Sequence, residues 1–451
     1  MTKTWFWGLL VATCSLALAV GAAVPATAQS SSSEKPKATE IGVSDTEIRI
    51  GVIADVDNPA APGVFKGSVD GVKAGAAYLN SKAGGGGLAG RKVVVDFYDS
   101  KLNPNETRNG TINACQNDLA MVGTSALFLT SVDDIVNCAD QAGQKTGIPD
   151  LSAFTTGVPE ACSPMSFATI GNNIDCATVS ENPQAYHANK GSAVWELKQS
   201  KGGLHGPFLV ANDTKDAQRG GTVGALAAQQ AGIKPNQGTT VAKSGRDPQS
   251  AFTSVVQQMK ADGSNYAYNA LAPPSALEIR EEAQLQGLDS SKIRWECVSC
   301  YGNDIVPQNA QSFEGETQSL NFLPFEEASS NKTLAAFLKY VKQVGGTPDQ
   351  FSVYAWTATL AFAAGVNAAV KADGVNGVTR PNLVTGLKSL TTFDAGGMFA
   401  TRSFKDAKPS ACFVMVEVHG GKWVRQYPTK KGTFDCKPSN LATIKANLLA
   451  G

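Results

Sequence analysis

Cysteine is the residue type in this chain with the clearest capacity for chemistry. Trp295-Glu296-Cys297-Val298-Ser299-Cys300 contains a C-x-x-C, a spacing that lets one thiolate attack and the second resolve. In a reducing compartment that is a redox dithiol, and in an oxidising one a small structural loop. The three histidines, His187, His205 and His419, have no Cys, His or carboxylate neighbour at metal-ligand spacing, so neither a metal site nor a His-dependent nucleophile is expected. Gly85-Gly86-Gly87-Leu88-Ala89-Gly90 matches G-x-G-x-x-G. A dinucleotide fingerprint must follow a strand and open a helix, whereas this run follows a helical pattern and precedes a strand, so it reads as a flexible turn. Neither a phosphate-binding G-x-x-x-x-G-K-[ST] nor a nucleophile-elbow G-x-S-x-G occurs. Catalytic residues, metals and cofactors are therefore not expected, and the chain reads as a non-enzyme.

The compartment decides how the cysteines are read. Lys3 is followed by an uncharged run from Thr4 to Val24 and then Pro25-Ala26-Thr27-Ala28, an export signal with a small-x-small cleavage site after Ala28. Residues 1–28 are expected to be removed. Residues 29–45, rich in Ser, Lys and Glu at their start, form a flexible leader, which places the protein outside the cytoplasm as a periplasmic, cell-surface or secreted chain. Loss of Cys14 with the signal leaves eight of the nine cysteines, an even number suited to disulfides. The sequence allows many connectivities, of which neighbour pairing is the simplest: Cys115 with Cys138, Cys162 with Cys176, Cys297 with Cys300, and Cys412 with Cys436. Loops of roughly 15 to 25 residues would each contribute about 3 kcal/mol through chain entropy.

The 451 residues are 42% hydrophobic and 17% charged, and Lys plus Arg balance Asp plus Glu at 39 each. Such a chain can bury two or three domain-sized cores, and nothing in its overall charge points to nucleic acid. The expected partner is small or protein.

The elements alternate. Arg49–Ala54 is a first strand, and the helix after it places Val69, Val72, Ala76 and Leu79 on one face. Lys92–Tyr98 is the second strand, Asn103-Pro104 opens a capped helix, Leu119–Gly123 is the third strand, and Ile148–Ser152 contains the fourth. A second series has strand Phe208–Ala211, a helix over 216–231, strand Thr239–Lys243 and a helix opened by Asp247-Pro248 that buries Phe252, Val255, Val256 and Met259. Strand Asn265–Asn269, a helix ending at Gly287 and strand Ile293–Val298 complete it. Two strand-helix series of about 120 residues each imply two α/β lobes with parallel sheets. Phe351–Val370 is twenty residues without a charge. Its Ala, Thr, Ser and Asn content reads as a helix buried in the protein, although its length would also span a bilayer. Ala411–Val418 and Lys422–Tyr427, joined by His419-Gly420-Gly421, read as a hairpin.

These motifs, in order, resemble a family. Ile48-Arg49-Ile50-Gly51-Val52, Gly71 in a helix ending Tyr78-Leu79-Asn80, and Gly86-Gly87-Leu88-Ala89-Gly90-Arg91-Lys92-Val93 look like the N-terminal signature of type I periplasmic solute-binding proteins of ABC transporters, branched-chain amino-acid-binding class. Val122-Gly123, Gly147-Ile148-Pro149, Asp247-Pro248, Gln286-Gly287-Leu288, Phe313-Glu314-Gly315 and Ala364-Gly365-Val366-Asn367 continue the likeness along nearly the whole mature chain. The resemblance implies two flavodoxin-like lobes joined by three crossovers, with residues 46–178 and 317–399 in the first and 179–316 and 400–445 in the second. It also implies ligand held between the lobes at the C-terminal ends of the strands, in agreement with the general rule for parallel α/β sheets.

Site residues follow from the same resemblance. The loop after the third strand offers Thr124 and Ser125, with Thr130 and Ser131 as rivals. Ser152, Phe154, Thr155 and Thr156 follow the fourth strand, and both loops suit an anionic or strongly polar group. Asp55, Asp57 and Asn58 lie in the first strand-to-helix loop. From the second lobe Asp213, Leu271 and Tyr301 would complete the enclosure, and Tyr354, with Phe351 and Trp356, matches an aromatic stretch of the family. Two positions depart from the pattern: Leu271 stands where the family has an aromatic residue, and no acidic partner for an α-ammonium is visible near Cys297–Tyr301. The expected function is a monomeric receptor that captures a small polar molecule for an ABC transporter permease, amino-acid transport being the family's usual role. The alternatives are a ligand-sensing domain of a signalling system, or an exported thiol-disulfide oxidoreductase using Cys297 and Cys300.

Overall fold

Strand β1 (Glu47–Ala54) is apolar almost without interruption because both its faces are covered: Ile48, Ile50, Val52, Ile53 and Ala54 are all fully buried. The computed structural model describes residues 34–449 apart from 60, 156 and 243–246, and the backbone alone over 237–242. The expected signal peptide, and Lys243 at the end of an expected strand, lie outside the described residues. Around β1, strands β2 (Lys92–Asp99), β3 (Ala120–Val122) and β4 (Asp150–Leu151) form a parallel sheet in the order β2-β1-β3-β4.

Helix Lys66–Asn80 covers one face of this sheet and buries Val69, Val72, Ala76 and Leu79 as their spacing predicts. It packs closely on helix Gln350–Asp373, since Gly71 faces the Ser352 carbonyl and Ala355, and Gly75 faces Thr359, where a Cβ would collide. Gln350–Asp373 is the one helix among the described residues long and apolar enough to cross a membrane. Fourteen of its residues are nonetheless buried inside the protein, between the helices Lys66–Asn80 and Arg380–Lys388, so it is a core helix. Its start is fixed by a capping box, with Asp349 and Ser352 exchanging side-chain and backbone hydrogen bonds.

The second sheet has seven strands in the order β12 (Lys422–Tyr427), β11 (Val414–His419), β10 (Glu316–Leu320), β9 (Arg294–Cys297), β8 (Tyr266–Ala270), β6 (His205–Ala211) and β7 (Lys234–Ala242). β6, β7, β8, β9 and β10 run parallel. β11 and β12 add the expected hairpin antiparallel at one edge. β5 (Gln184–Asn189) and β13 (Leu441–Ala446) pair separately.

The chain passes between the sheets three times: before β5, after β10 and before β11. Thr317–Leu320 pair with β11, so the second passage follows Leu320, whereas the expected boundary fell between residues 316 and 317. The passages run side by side. Leu323 N–H donates to the Met398 carbonyl at 2.9 Å, Ala400 N–H to that of Asn321 at 2.7 Å, and Asn172 N–H to that of Ala407 at 2.7 Å.

Two local expectations shift. The Asp247 carboxylate accepts a hydrogen bond from Ser275 at 3.5 Å, and a 3-10 turn, Gln249–Phe252, precedes regular helix over Thr253–Ala261. Phe252, Val256 and Met259 are buried, while Val255 sits at the margin of that core. Gly85, Gly86, Gly87 and Gly90 all have positive φ and lead straight into β2, so the glycine run is a turn. All four neighbour disulfides are present, at Cys115–Cys138, Cys162–Cys176, Cys297–Cys300 and Cys412–Cys436.

Candidate functional site

The loops at the C-terminal ends of β1, β3 and β4 converge, as they must where parallel strands all point one way. Asp55 ties them together from inside. Its carboxylate accepts the Ser100 hydroxyl at 2.6 Å and the Leu102 amide at 2.7 Å on one oxygen, and the Leu127 amide at 2.8 Å on the other. Asp57 is exposed, with its amide on Asp99 at 2.9 Å.

The predicted hydroxyls come together here, but most are spent on protein partners. Thr124, fully buried, donates to Asp150 at 2.7 Å. Ser125, also fully buried, bonds Ser68 at 2.8 Å. Ser152 and Thr155 share a hydrogen bond at 2.5 Å, and Thr155 donates on to Glu160 at 3.3 Å. Thr156 lies outside the described residues.

Behind these hydroxyls sits a buried acid pair that sequence reasoning missed. Asp150 and Glu160 are each 1% exposed and interact electrostatically, and Asp150 Oδ2 and Glu160 Oε2 are both buried without a donor. Burial pushes the Asp150 carboxyl up to about 7. Burial, and then the Asp150 charge, hold Glu160 well above the usual carboxylate range, and Asp216 adds a smaller upward push. Asp216 belongs to the other sheet's lobe, in the first turn of helix Lys215–Ala231, where it pairs with Arg219. Two like charges in one dry site cannot both ionise easily, so the pair holds a shared proton. No local pattern announces Asp150, a carboxylate in a two-residue buried strand.

Beside the acid pair, Phe65, Phe154 and Phe351 form a closed triangle with ring centroids 4.9 to 5.7 Å apart. Phe65 is buried, whereas Phe154 and Phe351 are only partly covered. They come from the loop before helix Lys66–Asn80, the loop after β4 and the start of helix Gln350–Asp373, so an apolar wall lies at the strand ends.

The remaining predicted residues sit elsewhere. Leu271 is in the core of the second lobe, its amide on Asn269 at 3.0 Å. Tyr301 is 1% exposed; its hydroxyl donates to Glu326 at 2.8 Å and accepts the Phe325 amide at 2.6 Å, amid Phe322, Phe325 and Trp423. Tyr354 packs among Phe322, Phe351 and Phe399. Asp213 is exposed. Cys297 and Cys300 are fully buried, out of reach of a thiol partner; their bridge shapes the loop that sets the Tyr301 amide on Gln318 at 2.7 Å. No group of three or more potential metal-ligating residues occurs among the described residues.

Residues 47–422 match the periplasmic binding protein family, and the chain belongs to it. Members of that family are extracytoplasmic binding proteins, and the fold is the type I periplasmic binding fold. No curated protein matches the sequence. Similar solved structures include a fatty acid ABC transporter substrate-binding protein from Thermomonospora curvata, 16% identical, covering 87% of this chain and 97% of that one with a TM-score of 0.62. A solute-binding protein from R. palustris in complex with benzoate is 17% identical, with 84% and 95% covered and a TM-score of 0.57. A leucine binding protein from Thermotoga maritima is 14% identical, with 84% and 97% covered and a TM-score of 0.58.

Proposed function

We propose that this protein is an exported receptor that captures a small molecule between its two lobes and delivers it to an ABC-type permease. The observation that carries the reading is the partly covered wall of Phe154 and Phe351 beside the Ser152 and Thr155 hydroxyls, all at the C-terminal ends of parallel strands. The lobes are residues 46–178 with about 321–399, and 179–320 with 400–445. The side-by-side passages between them act as the hinge, and ligand favours closure through contacts with both lobes at once.

Ligand chemistry follows from the wall and the acids behind it. An apolar or aromatic body would rest on Phe154 and Phe351, and a hydrogen-bond donor would meet the acid-backed hydroxyls better than a carboxylate would. Neighbours described as binding fatty acid and benzoate support the apolar body, and the buried acids argue against an anionic head at this spot. The expected small polar ligand thus becomes an amphipathic one. A thermal-shift screen over aromatic and aliphatic amines, amides, alcohols and carboxylates tests this, followed by X-ray scattering with the hit. The expected result is a hit with a donor head, compaction on binding, and at least about tenfold weaker binding by Phe154→Ala, from loss of buried ring contact. A ligand that binds the variant unchanged and causes no compaction refutes the site and the closing mechanism together.

A further inference from the structure

A separate space lies inside the lobe built on the seven-stranded sheet and shares no residue with the loops above. It is a cavity of about 130 Å³ between helix Gly191–Gln199, helix Lys215–Ala231 and the face of β8, β9 and β10, with Lys190, Ser192, Gly224, Tyr268, Glu296 and Ser319 among its walls. At about 30 Å³ per water this is room for about four waters, or for one organic ion of a few heavy atoms.

Several of the polar groups around it lack partners. Tyr268 is 8% exposed, and its hydroxyl makes no hydrogen bond among the described residues. It lies against Gly224, where any Cβ would collide with it, so the glycine keeps that hydroxyl's place open. A buried phenol is ordinarily satisfied, and leaving one bare is costly. Independently, helix Gly191–Gln199 starts at the cavity with no side-chain cap. The Gly191 amide is taken by Asn189 at 2.8 Å, while those of Ser192 and Ala193, both in the wall, are orphan donors of a first helical turn. Lys190, half-buried in the wall, makes neither a side-chain hydrogen bond nor an ion pair among the described residues.

Glu296 forms the floor. It is 3% exposed, accepts the Tyr266 hydroxyl at 2.6 Å and is hydrogen-bonded to Ser192. Burial, and then the Glu196 charge, push its carboxyl up to about 7, against the opposing pull of Tyr266, Ser192 and Arg294. The charged and titratable groups facing it are Glu196 and Lys190 from the helix side, Tyr266 and Tyr268 from β8, and Arg294 from β9. Glu417 from β11 reaches it only through Arg294, and the helix Lys215–Ala231 presents only Gly224 and Ala228. Below pH 7 the carboxyl carries a proton, and every polar group around the cavity can then donate.

We propose that this cavity binds a compact monocarboxylate, held by Lys190, the Ser192 and Ala193 amides and the Tyr268 hydroxyl, above the Glu296 carboxyl. Equilibrium dialysis of the full mature protein against labelled acetate tests it, at about pH 6 and pH 8 and constant ionic strength. The expected result is saturable binding of one acetate per chain at pH 6 and weaker binding at pH 8, where Glu296 is ionised. Tyr268→Phe and Lys190→Gln should each weaken it at least about fivefold, because the first removes a hydrogen bond to the ion and the second removes the opposite charge. Both substitutions keep side-chain volume, and an unchanged melting temperature shows that the fold survives. Unsaturable uptake, equal affinity at the two pH values, or variants that bind as the parent does would each overturn the proposal.

Discussion

Glu160→Gln probes the buried acid pair directly. In the folded protein Asp150 keeps its proton up to about pH 7, where an unperturbed carboxyl of its kind titrates near 3.8. A pKa raised on folding means that the native state binds more protons than the unfolded chain through that interval, so stability falls as pH rises through it and levels off above. At 1.36 kcal/mol per unit, a shift of about three units corresponds to at most about 4 kcal/mol, fully present below pH 4 and lost by about pH 7. Glutamine keeps the volume of Glu160, can donate an amide N–H to Asp150, and removes the like charge that faces both Asp150 and Asp216. In the parent Glu160 must keep its proton at pH values where the unfolded chain has released it, a cost that glutamine does not carry, while Asp150 stays bonded by Thr124. The variant is expected to gain about 1–3 kcal/mol over the parent at pH 8 and nothing at pH 5, part of the charge-burial cost of Asp150 remaining. Urea denaturation of both proteins at pH 5, 6, 7 and 8 reads this as a difference curve. Other buried acids, among them Asp118, Glu296 and Glu316, are also pushed upward, but they titrate alike in both proteins and cancel. A difference that is flat with pH, or a variant less stable than the parent at pH 8, would refute the shared-proton account.

Two further outcomes are expected. Alkylation of the exported protein under denaturing, non-reducing conditions should find no free thiol, since all eight cysteines among the described residues are paired; two reactive cysteines at 297 and 300 would instead revive the redox reading. Tyr301→Phe should cost about 1–3 kcal/mol by denaturation, because the Phe325 amide loses its acceptor and Glu326 its donor in a dry aromatic core. A change below about 0.5 kcal/mol would mean that water already satisfies both groups.

Local patterns in the sequence determined the elements. The continuous apolar run of β1 and the 3.6-residue spacing of Val69, Val72, Ala76 and Leu79 encode burial directly, because each follows from the geometry of its own strand or helix. The disulfides were legible for a related reason: each cysteine pairs with its nearest neighbour along the chain, separated by 3 to 24 residues. Even the loops of the site could be placed, since parallel strands put their C-terminal ends on one side.

Only the tertiary structure decided where the side chains in those loops point. Thr124 reads as a ligand donor, but its hydroxyl donates to Asp150, 26 residues further on. Tyr301, Leu271 and Tyr354 looked like cleft residues, and packing against distant rings or the second-lobe core claimed them. Conversely, the triangle of Phe65, Phe154 and Phe351, and the facing of Glu160 by Asp216, join positions far apart in the chain. Residue type and periodicity fix how much of a side chain is buried. What it is buried against depends on the paths of long connections, which no local pattern specifies.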